Sequence, residues 1–149
     1  MPISFQVQQD YGVAAEAVLN CELPRYLAVL LRVASIHEVS VSERNAAAAT
    51  AYALAEESVR LEAFRFCDTG APPQWEELLT PLRSPQVAAC LFRDACKVAW
   101  SDGEIDPIEQ DVLLQIAHDL QLPEWQRDQL LIAVEEQERA RLRILTLFA

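Results

Sequence analysis

Asp102, Glu104, Asp106, Glu109 and Asp111 lie within ten residues, and no lysine or arginine falls between Val98 and Gln126 to neutralise them. Carboxylate oxygens gathered this closely suit hard divalent cations, Ca²⁺ or Mg²⁺ before Zn²⁺. Asp102, Glu104, Asp106 and Glu109 are therefore the candidate metal ligands. The spacing is not that of an EF-hand, which needs a glycine at its sixth position and a bidentate glutamate at its twelfth. A weak, partly hydrated site is the most this segment can form alone.

Helix capping accounts for most of the same residues. Asp106-Pro107-Ile108-Glu109 reads as a capping box with proline at the first helical position. Gly103 suits the left-handed exit of the preceding helix. Asp111 lies near the favourable end of the next helix dipole. Asp102 faces the wrong end of a dipole, so the cation reading rests on it most heavily.

Other chemistries fail on spacing. None of the four cysteines, Cys21, Cys67, Cys90 and Cys96, forms a C-x-x-C pair, so zinc and thioredoxin-like sites are excluded. Buried free thiols in a reducing cytoplasm are expected. His37 and His118 are preceded at three residues by Ala34 and Gln115, so the Glu-x-x-His pairs of a di-metal bundle are missing. His118 fits the C-terminal turn of a helix. No nucleophile elbow, P-loop or dinucleotide glycine pattern occurs. No residue is assigned as catalytic or cofactor-binding. A carboxylate-based hydrolase is the least favoured of the functions considered.

The elements that must position the acidic segment are helices. Glycine is scarce in the 149 residues, and alanine and leucine abound. Residues 1–9 show no period and read as loose. Asp10 reads as the cap of a short helix over about 11–20, and Asn20 as the cap of a second carrying Leu23, Leu27, Leu30 and Leu31. Ser40-Val41-Ser42-Glu43 is a further capping box, and the alanine run it opens reads as continuing toward Phe66. The stretch 68–73 is the clearest breaker. A short helix around Trp75–Leu82 follows it. Ser84-Pro85 then opens a helix with Val87, Leu91, Ala95, Val98 and Ala99 on one face. Ile108, Val112, Leu113, Ile116, Ala117 and Leu120 define a buried stripe on the next. The last helix starts near Glu124. Its apolar tail, Leu142, Ile144, Leu145, Leu147 and Phe148, is expected to pack back on the body. Trp75, Trp100 and Trp125 read as core anchors. Arg139, Arg141 and Arg143 read as a solvated helix face, or as a contact for a partner subunit's acidic loop.

The two capping boxes are related by a shift of 66 residues, Ser40 to Asp106 and Glu43 to Glu109. The expected architecture is thus one all-α domain over 1–149 of about seven or eight helices. It has two pseudo-repeated helix–loop–helix halves, about 23–67 and 85–137. Ile36-His37 stands in the first half where Asp102-Gly103 stands in the second.

The segment 98–109, followed by Leu113, Ile116, Ala117, Leu120 and Leu122-Pro123-Glu124, resembles the tellurite-resistance TerB-like family, which includes the N-terminal domain of the DjlA co-chaperones. The resemblance covers about residues 85–135 and is faint over 23–60. It implies an all-α fold of two pseudo-repeated halves. It also implies acidic residues that bind metal cations, in a bacterial stress-response or envelope-associated complex. The first half departs from the pattern at Ile36-His37. No His-Pro-Asp motif is present, so nothing points to a J domain.

A formal charge of −11 argues against nucleic acid and against anionic membrane surfaces. No run approaches the ~20 apolar residues of a bilayer span, and the N-terminus has no secretory pattern. The expectation is a cytoplasmic, non-enzymatic domain with a protein partner and a weakly held divalent cation. The alternative is a metal-free interaction module using an apolar groove between the halves, with a homodimer as one possible form.

Overall fold

The computed structural model describes residues 3–36, 41–68, 75–101 and 103–148, and every regular element among them is helical. The order is α1 (Phe5–Tyr11), α2 (Ala15–Leu19), α3 (Leu23–Ala34), α4 (Val41–Leu54), α5 (Glu57–Asp68), α6 (Trp75–Leu79), α7 (Pro85–Trp100), α8 (Pro107–Asp119) and α9 (Glu124–Thr146). Short 3₁₀ turns cover Gly12–Ala14 and Thr80–Leu82. The protein is all-α, as composition and periodicity require.

Two helices form the centre. Ten of the sixteen residues of α7 are buried, and it packs against α2, α3, α4, α8 and α9. α3 buries Tyr26, Leu27, Val29, Leu30 and Val33, and packs against α4, α5, α6 and α7. Leu91, Phe92, Leu78, Leu82, Leu113 and Ile116 complete the core. Each such side chain contributes roughly 1.5–3 kcal/mol by leaving water. No helix among the described residues is long and apolar enough to cross a membrane.

The structure corrects several local expectations. Residues 5–11 are helical, because Ser4 Oγ accepts from the Val7 amide at 3.2 Å and Val7 and Tyr11 are buried. A helix this short buries two positions and shows no period. Asp10 lies inside α1, and Asn20 ends α2. α3 follows Glu22, with Pro24 in its first turn as expected. The alanine-rich helix stops at Leu54. Arg60 satisfies the break by donating from Nη1 to the Ala55 carbonyl at 2.5 Å. Ser84 precedes Pro85, but its side chain makes no capping hydrogen bond.

On α8 the buried face runs through Glu109, Leu113, Ile116 and Ala117, with Leu120 just beyond its end. Ile108 is 58% exposed, because Glu109 takes the inward position of the first turn. α9 buries only Val134 and Glu138 along its length. It continues unbroken to Thr146, so of the apolar tail only Leu142, beside Gly103, lies against the body. Ile144, Leu145, Leu147 and Phe148 are exposed. Trp125 is likewise 70% exposed and is no core anchor. Trp75 and Trp100 do pack against the core, and Arg32 lies 4.5 Å over the Trp75 ring.

Candidate functional site

The acidic segment is divided by the fold. Gly103 takes φ +98°, the left-handed exit expected of it after α7. Asp106 caps α8, its Oδ1 accepting from the Glu109 amide at 2.8 Å. The Glu109 carboxylate is carried to the inner face of α8 and is buried. Glu104 is exposed, and Asp106 is half-buried. Asp102 lies outside the described residues, as do His37 and Ser40 of the first half. Among the described residues, no three His, Cys, Asp or Glu side chains converge as metal ligands. His118 is exposed in the last turn of α8, where the helix dipole favours it.

A different carboxylate organises the interior. Asp94 sits on the buried face of α7 and is 4% exposed. Tyr11 Oη of α1 donates to Asp94 Oδ2 at 2.7 Å, and Tyr26 Oη of α3 donates to the same atom at 2.6 Å. Arg93 donates to Oδ1 from Nε at 3.2 Å and from Nη2 at 3.1 Å. The same guanidinium lies 4.7 Å over the Tyr11 ring and reaches the Asp10 carbonyl with Nη1. Burial pushes both tyrosine hydroxyls well above their ordinary range, and the Asp94 charge pushes them further. The phenols therefore stay protonated and act as donors, so the buried charge is hydrogen-bonded on both oxygens.

This cluster forms one wall of a cleft of about 600 Å³ between α1, α4, α7 and α9. Its α4 wall is Asn45, Ala46, Ala49, Thr50 and Ala53, one face of that helix at helical spacing. Arg93 and Lys97 of α7, Ser101 just after it, and Glu138 and Arg141 of α9 form the polar walls. Glu138 is buried and accepts from Arg141 Nε at 2.7 Å. Arg141 Nη2 also reaches the Ser101 carbonyl at 3.1 Å. Arg141 thus ties α9 to the start of the acidic loop of its own chain. Arg139 pairs with Glu135 at 2.7 Å on the exposed side.

A second cleft, about 540 Å³, lies among α3, α4 and α5. Leu27, Leu31, Ala51 and Ala63 form its apolar floor, with Tyr52 and Phe64 exposed beside it. Arg60 stacks 4.3 Å over Tyr52. The polar cleft therefore lies where α4 faces α7, and the apolar one lies among α3, α4 and α5.

Sequence reading passed over Tyr11, Tyr26, Arg93 and Asp94. A signal was available: Asp94 falls three residues after Leu91 and four before Val98, in phase with the buried face of α7. A charge at such a position must find partners. Cys90 and Cys96 are buried free thiols, and Cys21 is half-buried and free. No family model, no curated protein and no solved structure matches the chain.

Proposed function

We propose that this chain is a non-enzymatic protein-interaction domain of the TerB-like kind, working in a bacterial stress-response or envelope-associated complex. The observation that carries the interaction reading is the apolar cleft among α3, α4 and α5, which leaves Tyr52 and Phe64 exposed beside an apolar floor. Apolar surface of this shape suits the buried anchor of a partner, with aromatic side chains at its edge.

Two further features support the reading. The last residues of α3 and α7, Ala34 and Trp100, are 66 positions apart, as are the first of α4 and α8, Val41 and Pro107. That spacing agrees with a duplicated unit of the kind the sequence resembles. Asp94, the buried carboxylate best placed to act as a base, has both oxygens occupied by donors within the chain. A general base needs a free lone pair aimed at substrate, so this arrangement favours a strut over a catalyst.

The test is a photo-reactive amino acid placed at position 48, inside the apolar cleft. One identified protein is expected to crosslink to it in cells. The purified domain should bind that protein, and Phe64→Asp should weaken binding roughly tenfold or more while the unfolding midpoint stays unchanged. A domain that forms no crosslink and sediments as a monomer overturns the proposal.

A further inference from the structure

Among the described residues, the polar cleft between α1, α4, α7 and α9 has one cation without a partner in the chain. Its two buried acids each have an arginine of their own: Asp94 with Arg93, and Glu138 with Arg141. Lys97 also lines the cleft, and it makes no ion pair or hydrogen bond among the described residues. It stands four residues after Arg93 on the same helix face. Like charges at that spacing repel unless an anion lies between them. Arg93 and Arg141 also retain N–H groups beyond those already donated. The one other acid on the cleft wall among the described residues, Asp10, is exposed and takes a hydrogen bond from Gln6 at 3.0 Å.

The opposite wall has another character. Ala46, Ala49 and Ala53 present methyl groups beside the polar Asn45 and Thr50 of the same helix, and larger residues at the alanine positions would fill the space. The cavity has the size of a small-ligand site and combines an apolar wall with a few convergent polar groups.

We propose that this cleft binds a small organic anion, with its carboxylate or phosphate head between Lys97 and Arg93 and its short apolar body on the alanine face of α4. The ligand class is an amphipathic anion of a few to about ten carbons, which the cavity volume accommodates. This site is separate from the apolar cleft assigned to a protein partner, so either can fail without the other.

The probes are octanoate and octyl phosphate, with octanol as the uncharged control. Binding is followed by amide chemical shifts at low salt. At least one of the anions should perturb α4 and α7, and octanol should not. Which anion binds more tightly distinguishes a carboxylate head from a phosphate one. Lys97→Gln should weaken binding roughly tenfold, and Lys97→Arg should retain it. Ala49→Leu, which fills the apolar wall, should abolish binding and keeps the test intact if Lys97→Gln fails to fold. A lysine serving only the C-terminal dipole of α7 would lower the unfolding midpoint of the free protein in Lys97→Gln and leave affinity unchanged. That result overturns the proposal. So does equal binding of octanol, a shift pattern centred on α3 and α5, or no binding of either anion at millimolar concentration.

Discussion

Tyr26 Oη meets Asp94 Oδ2 at 2.6 Å although the two residues are 68 apart in sequence. The bond joins α3 to α7, the two helices with the most buried residues. Tyr11 reaches the same oxygen and brings in α1. One carboxylate therefore holds three helices. Its charge is tolerated because Arg93 and both phenols compensate the water it lost.

Removing that carboxylate is expected to be far costlier than removing one donor. Tyr26→Phe deletes a charge-assisted hydrogen bond and should cost about 1.5–3 kcal/mol. Asp94→Ala strands two buried hydroxyls and the Arg93 charge and should cost about 3–5 kcal/mol. The double variant should lose clearly less than the sum, because the hydroxyl has no role without the carboxylate. Urea unfolding of the four proteins checks the cycle. Additive losses would show that the two residues stabilise the fold independently.

The turn after α7 should be intolerant of side chains. Gly103 has φ +98°, and a Cβ there would come within 3.1 Å of Leu142 Cδ1 on α9. Gly103→Ala should therefore cost about 1–2 kcal/mol through the left-handed backbone alone. Leu142→Ala in the same background should remove any part due to crowding and leave the backbone part. A chemical-denaturation series on the single and double variants separates the two.

Alkaline pH should weaken the fold. Burial pushes the Cys21 thiol up to about 11, and burial raises Cys90, Cys96, Tyr11 and Tyr26 in the same direction. The unfolded chain then loses these protons first, beginning near the ordinary thiol value of about 8.5. Stability from Cys21 is complete below that pH, declines above it, and is gone once the pH has passed about 11. The urea midpoint should fall steadily from pH 8 to pH 10.5, and Cys21→Ala should fall less steeply over the same range. A midpoint flat across that range contradicts the assignment.

The helices were legible because their signals are local. Pro85, Pro107 and Asp106 mark starts, Gly103 marks an end, and Leu113, Ile116, Ala117 and Leu120 repeat at helical spacing. α1 escaped because seven residues hold too few buried positions for a period. The exposed tail misled because apolar residues were equated with burial, whereas nothing breaks α9 to turn it back. The polar interior was the least legible part. Tyr11, Tyr26 and Asp94 lie far apart in sequence, and only the packing of α1 and α3 against α7 brings them together. The acidic segment stood out for the opposite reason. Its residues are adjacent in sequence, yet the fold turns Glu109 inward and engages Asp106 at a cap.

That division sets the expectation for cations. Asp106 Oδ1 is held by the Glu109 amide, and Glu109 is buried, so neither is presented as a free surface ligand. Hard cations need several oxygens at once, and sites with few charged ligands bind in the range of about 10⁻⁴–10⁻³ M or weaker. Calorimetric titration with Ca²⁺ and Mg²⁺ is therefore expected to give millimolar affinity at best, with the heat lost in Asp102→Ala. Asp106→Ala should instead act on stability, costing about 1 kcal/mol through the lost cap at any cation concentration. Micromolar Ca²⁺ binding abolished by Asp106→Ala would reverse this assignment and make Asp106 a ligand first and a cap second. A stability loss in Asp106→Ala that is the same with and without 5 mM Ca²⁺, a concentration above the top of that range, would fix its role as the start of α8.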